Sequence, residues 1–121
     1  MTAFEYPASH VKYMKDILKD NSPYPIVENP NMKTRKDHVE HCLWQVIRFA
    51  NLAKNGKNLR IAQLAYNLGR AQEILQGFTG ILWKKYEPLI DTCSYQKIIN
   101  MTSDMLKMLE LEQPSVDFIN Q

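Results

Sequence analysis

The chain has 121 residues, 45% of them apolar and 23% charged, which suffices for one core without disulfides or metals and rules out both two domains and wholesale disorder. Its net charge of +2 and two cysteines exclude an extreme polyanion or polycation and a disulfide scaffold. No apolar run approaches the roughly 18 residues that cross a bilayer, and the opening Met-Thr-Ala-Phe-Glu-Tyr lacks the basic start and apolar stretch of a signal peptide, so a cytoplasmic protein is expected.

A first helix is predicted from about Ser9 to Lys19, with Ser9 as N-cap and Val11, Met14, Ile17 and Leu18 at helical spacing. Pro23, Pro25 and Pro30 make residues 21–33 an extended connection, whose Tyr24-Pro25-Ile26-Val27 patch is free to pack on the helices. The second helix is predicted over 34–54. Thr34-Arg35-Lys36-Asp37 has the spacing of a capping box, and Val39, Cys42, Leu43, Val46, Phe49, Ala50 and Ala53 form a long apolar stripe. Asn55-Gly56 ends it, with Gly56 as the left-handed residue of a tight turn that makes the next helix antiparallel.

The third helix is predicted over 59–80 and carries three stripes when its residues are set at 100° intervals. Ile61, Leu64, Leu68, Ala71, Leu75 and Phe78 make a core face. Arg60, Gln63, Asn67 and Arg70 make a basic, amide-rich face without an acid, and Ala62, Tyr66, Gly69 and Gly80 make a stripe of mostly small residues. Gly77 and Gly80 each weaken a helix interior by about 1 kcal/mol, so its end falls between Gly77 and Lys85. After a linker containing Pro88, a fourth helix is expected over 94–112, with Ile98, Ile99, Thr102, Met105, Leu106 and Leu109 inward; Pro114 opens a frayed tail over 113–121. Four such segments bury their apolar faces most simply as one all-α domain, an antiparallel up-and-down four-helix bundle.

Chemistry is sparse. His38 and His41 flank Glu40 on one helix, but a metal site needs further ligands and none is near in sequence; a solvent-facing or capping role is expected for them. Carboxylates do not pair, and nucleophile-elbow, phosphate-loop and dinucleotide patterns are absent, so neither an enzyme nor a cofactor is expected. Charge is the informative feature. Residues 33–85 hold ten basic and three acidic groups, whereas residues 86–121 hold two and six. Within the basic stretch, Arg48 lies with His41, Gln45 and Asn51 on the non-core side of the second helix, matching the Arg60, Gln63, Asn67, Arg70 face of the third. Donors without nearby carboxylates suit a phosphate backbone. Trp44, beside a core stripe already filled, and the Tyr66–Gly69 stripe are read as faces toward a partner or a second subunit. Trp83, Tyr86 and Tyr95 are core residues, base-stacking platforms or interface anchors.

Taken in order, Tyr24-Pro25-Ile26-Val27, Lys33-Thr34-Arg35, Cys42-Leu43-Trp44-Gln45-Val46-Ile47-Arg48-Phe49, Asn67-Leu68-Gly69-Arg70-Ala71-Gln72-Glu73-Ile74-Leu75, Leu89-Ile90-Asp91-Thr92-Cys93-Ser94-Tyr95-Gln96 and Met105-Leu106-Lys107-Met108-Leu109 give the chain a family likeness. Over roughly residues 11–110 it resembles the accessory variability determinant proteins of diversity-generating retroelements, relatives of the four-helix-bundle proteins of ribosomal-RNA intervening sequences. The chain departs from that pattern at Leu109-Glu110-Leu111-Glu112, where a glycine and tryptophan often stand, and in having only Lys12, Lys15 and Lys19 as bases on the first helix. The resemblance implies a non-enzymatic subunit of a homopentameric barrel that binds a reverse transcriptase and its RNA or complementary DNA. Arg48, Lys54, Lys57, Arg60 and Arg70 would then dock phosphate, with Trp44, Tyr66 and Gly69 at a subunit or partner interface. The Cys42-to-Ala53 segment is also similar to flagellin-export chaperones, which implies the alternative of a helical adaptor that clasps a protein partner.

Overall fold

A computed structural model describes residues 7–20, 32–57, 61–75 and 79–121. These residues form six helices and no strand: α1 (Ala8–Leu18), α2 (Arg35–Lys54), α3 (Ile61–Ile74), α4 (Thr79–Asp91), α5 (Tyr95–Met108) and α6 (Val116–Ile119). None is long and apolar enough to cross a membrane. The Tyr24–Val27 patch, Arg60, Gly77 and Phe78 lie outside the described residues.

The long helix α2 is the axis of the fold, packing most extensively on α3 and α5 and also touching α6 and α1, while α4 joins α3 to α5. Its start is fixed chemically. Thr34 Oγ1 accepts from the Asp37 amide at 3.2 Å, and Asp37 Oδ2 accepts from the amides of Thr34 and Lys33 at 3.2 and 3.1 Å, a completed capping box. At the other end Gly56 takes φ 72°, its amide reaching Ala53 O and that of Lys57 reaching Leu52 O. This is a Schellman motif, and it turns the chain back into α3.

The core runs along one side of α2, where Val39, Leu43, Val46, Ile47 and Ala50 meet Leu64, Leu68, Ala71 and Ile74 of α3, and Ile98, Met101, Met105 and Leu106 of α5. Met14 and Leu18 of α1 complete it. Ile61, expected inward, is 41% exposed, whereas Ile74 and Gln72 are buried. The apolar stripe of α3 is therefore rotated slightly from the one that periodicity suggests.

The expected 59–80 helix and the linker after it are divided differently. Helix α3 stops at Ile74, and α4 covers the stretch assigned to the linker, with Pro88 inside it. An internal proline removes one helical hydrogen bond at a cost of about 3 kcal/mol. Burial of Tyr86 and Ile90 on the same helix offsets that loss, because both side chains enter the core. Helix α5 ends at Met108, four residues before the expected Glu112.

Residues 113–121 are the larger correction. The expected frayed tail contains α6, capped by Ser115 Oγ accepting from the Phe118 amide at 3.1 Å, and lies against α2.

Candidate polar cleft between α2 and α3

The residues that separate α2 from α3 on the side away from the core do not close against each other. They line a cleft of about 250 Å³ to which α2 contributes His38, His41, Cys42, Gln45 and Phe49, and α3 contributes Gln63, Tyr66, Asn67 and Arg70; Met32 lines it too. Among the described residues that line it there is no carboxylate. Three members of the amide-rich face read from the sequence of α3, Gln63, Asn67 and Arg70, thus line one cleft with His41 and Gln45 from α2.

The polar side chains are held in order. Arg48 Nη1 donates to Gln45 Oε1 at 3.1 Å, which turns the Gln45 amide nitrogen toward His41 Nε2 at 3.3 Å. Arginine has only donors, so the amide orientation is forced, and His41 accepts at Nε2. On α3, Asn67 Nδ2 donates to the main-chain oxygen of Gln63 at 2.8 Å. The Arg70 guanidinium sits 5.9 Å from the Tyr66 ring centroid, its Nη1 3.4 Å from the phenol oxygen. Gln63 Oε1 is buried and accepts no hydrogen bond from the described residues.

Arg48 is not open to solvent as the sequence suggested. Besides Gln45, its Nη2 donates to the main-chain oxygen of Gln121 at 3.3 Å, and its guanidinium lies 5.0 Å from the Phe49 ring centroid. The neighbouring Asn51 donates to Asn120 Oδ1 at 3.2 Å. Trp44 likewise meets the chain itself: its indole N–H donates to Glu112 O at 2.8 Å, and its ring meets Phe118 edge-on at 5.5 Å, while Glu40 accepts from the Glu112 amide at 3.1 Å. The C-terminal segment thus occupies the side of α2 assigned to a phosphate or a partner. Its signal was present in the sequence, as Ser115 three residues before Phe118 with Asp117 in the first turn, a local cap that an isolated proline obscured.

The other sequence candidates separate. Lys54 and Lys57 are exposed at the α2–α3 turn, where Lys54 Nζ donates to Gln96 Oε1 at 2.6 Å. Tyr66 is 54% exposed, and a side chain built at Gly69 would meet nothing within 4 Å, so the small-residue stripe faces open space. His38, expected at the surface, is 3% exposed. Tyr86 and Tyr95 are core residues. Cys42 is buried and Cys93 exposed. Among the described residues no three histidine, cysteine, aspartate or glutamate side chains converge as metal ligands. Sequence reasoning missed Phe49 and Met32 as cleft residues, because it counted Phe49 in the core stripe of α2 and left Met32 in the extended connection, and an apolar side chain gives no sign that it borders a cavity.

A second basic cluster lies at the α1 end. Lys15 donates to Glu110 at 2.9 Å; that hydrogen bond, with the charges of Lys15, Lys19 and Lys36, holds the Glu110 carboxyl below its ordinary range. Comparison with protein families, curated proteins and solved structures finds no match.

Proposed function

We propose that the chain is a non-enzymatic, cytoplasmic nucleic-acid-binding accessory protein. In the reading implied by its sequence resemblance, it is a partner of a reverse transcriptase and of that enzyme's RNA or complementary DNA. The observation that carries the nucleic-acid part is the cleft between α2 and α3, whose described lining residues include Arg70 and no carboxylate, with exposed Lys54 and Lys57 at the adjacent turn. Such donors attract a phosphate chain by counterion release rather than by base reading. Arg60 belongs to the same face by sequence, and Arg48 joins it only when residues 112–121 leave α2.

The same reading takes α1, α2, the α3–α4 stretch and α5 as the four members of a bundle, and sets that bundle in a homopentamer. Ile61 and Tyr66, 41% and 54% exposed beside Ala62 and Gly69, support a subunit contact there. The test of binding is a salt titration with single-stranded RNA and DNA. Log affinity should fall linearly with log salt, and the slope should shrink when Lys54, Lys57 and Arg70 are changed to glutamine. No binding at about 50 mM salt sinks this reading. Mass measurement in solution tests the pentamer, and co-purification with a reverse transcriptase encoded beside the gene tests the partner.

One observation favours a second reading, a helical adaptor for a protein partner. The Trp44 side of α2 already accepts a short amphipathic turn, through Phe118 and the main chain of Glu112. An adaptor of this kind would capture a helical segment in a salt-insensitive way, and its binding would be lost on Trp44→Ala but kept in the lysine and arginine variants.

A further inference from the structure

None of residues 112–121 is buried, yet four of them engage one face of α2. Glu112 O takes the Trp44 indole N–H, Asn120 Oδ1 takes the Asn51 amide, Gln121 O takes the Arg48 guanidinium, and the Phe118 ring meets Trp44 at 5.5 Å and His41 at 6.2 Å. Trp44, Arg48 and Asn51 are spaced by four and three residues, so a helix sets them on one side in that order. Each contact of the segment has a counterpart in a single strand of nucleic acid. A base stacks on an indole where Phe118 now packs, and a phosphate takes the guanidinium where Gln121 O now sits. Arg48 gains by that exchange, because a phosphate offers its fork several oxygens and a full negative charge in place of one neutral carbonyl. The segment also has the strand's sign of charge: residues 112–121 hold Glu112 and Asp117 and no lysine or arginine.

The same segment is held lightly. Its hydrogen bonds to α2 are exposed, as are those of Gln113 to Ser103 of α5 and of the Glu112 amide to Glu40. Backbone with little buried surface opens at a small fraction of the cost of global unfolding. Leu111, buried in the core, anchors the chain just before it, and Pro114 follows.

We propose that residues 112–121 are an autoinhibitory strap over a single-strand binding site on α2, in which Trp44 stacks a base and Arg48 holds the adjoining phosphate once the strap lifts. The proposal rests on the nucleic-acid reading above and adds a site and its control to it. Strap and strand use the same atoms and exclude each other. Glu40 lies eight residues before Arg48, about 12 Å along the helix, which sets the phosphate at the Arg48 end and away from that carboxylate.

The test uses the full chain, with Phe118→Ala to loosen the strap and strands of about 12 nucleotides as probes, labelled oligo-dT and an abasic strand of equal phosphate number. Phe118→Ala should bind oligo-dT about tenfold more tightly than the unaltered chain and about tenfold more tightly than it binds the abasic strand. Adding Trp44→Leu should abolish the preference over the abasic strand, whereas adding Arg48→Gln should weaken both strands alike and reduce the salt slope by about one. With Trp83→Phe, which leaves Trp44 as the sole tryptophan, oligo-dT should quench the emission of the loosened form and the abasic strand should not. Equal affinity of the loosened and unaltered chains for oligo-dT, or an unquenched Trp44 at saturation, overturns the strap site and leaves phosphate docking at Lys54 and Lys57 standing. Failure of every strand at low salt overturns both. Binding of a peptide of residues 112–121 by the loosened form, with no strand bound, overturns the proposal in favour of the adaptor. Should Phe118→Ala not fold, the unaltered chain gives a second readout: oligo-dT at low salt should move the amide NMR signals of Phe118 and Asn120 toward those of the free peptide, and unmoved signals overturn the proposal.

Discussion

At the residue scale the most constrained polar contact is Tyr86 with Thr102, both fully buried. The Thr102 hydroxyl donates to Ile98 O at 2.7 Å, which uses its only hydrogen, so the Tyr86 hydroxyl 3.0 Å away is the donor of the second bond. Each deletion removes this bond. Tyr86→Phe leaves Thr102 bonded to Ile98 O and should cost about 1 kcal/mol in urea unfolding, and Thr102→Val should cost at least about as much; the double variant should lose less than the sum of the two, because they share one bond. None of this was legible in sequence, where Tyr86 stood in an assumed linker. Only the helix over Thr79–Asp91 turns its side chain to α5.

At the scale of elements, the helix ends follow one rule with three different residues. Gly56, Cys93 and Glu110 have φ of 72°, 56° and 59°, and each closes a Schellman motif: Ser94 N reaches Leu89 O and Leu111 N reaches Leu106 O, as Lys57 N reaches Leu52 O. Only the first has glycine, the residue that adopts this conformation without a Cβ penalty. Gly56→Ala should destabilise by about 1 kcal/mol, and Cys93→Gly, exposed and in the same backbone state, should stabilise by about 0.5–1 kcal/mol in thermal unfolding. The glycine signalled the end of α2 in sequence, while cysteine and glutamate signal nothing, which is why the end of α5 was misplaced.

The cap of α2 also makes a pH prediction. Partial burial of Asp37 works to raise its pKa, but the amides of Lys33 and Thr34, the Thr34 hydroxyl and the nearby His38 together outweigh it and hold the carboxyl below its ordinary range. A depressed carboxyl contributes stability that is present above its unfolded value and is lost as pH falls through the folded one. Melting temperature should fall as the solution is acidified below about pH 4, and Asp37→Asn should flatten that part of the curve. Glu110, lowered by Lys15, acts in the same direction.

At the scale of the whole molecule, the acidic C-terminal third folds back on the basic middle. Removing residues 112–121 should release Trp44, Arg48 and Asn51 together, since each is held by that segment. Tryptophan emission should shift to the red, and the slope of log affinity for single-stranded RNA against log salt should steepen by about one as Arg48 becomes available to phosphate. An unchanged spectrum after the deletion would contradict the docking of the segment on Trp44. The amide-rich face of α3 was readable from residues 63, 67 and 70 because helical spacing alone puts them on one side. That this face borders a cavity, with His41 and Gln45 opposite, was not, because it depends on how far α2 stands from α3.

Local rules were sufficient for the all-α class, the start and end of α2, most of its core stripe and the uneven charge along the chain. Each follows from periodicity, capping chemistry or composition within a few residues. Tertiary structure alone decided that Pro88 lies inside a helix, that residues 113–121 cover Arg48 and Trp44, and that Gln63 lines a cleft between two helices. In each case the deciding quantity is burial against residues distant in sequence: the Tyr86–Thr102 contact spans 16 positions, Arg48 to Gln121 spans 73, and the Gln63 cleft is shared by two helices. Contacts at that separation overrule propensity because the free energy of burying a side chain exceeds the few tenths of a kcal/mol by which most residues prefer one backbone state to another.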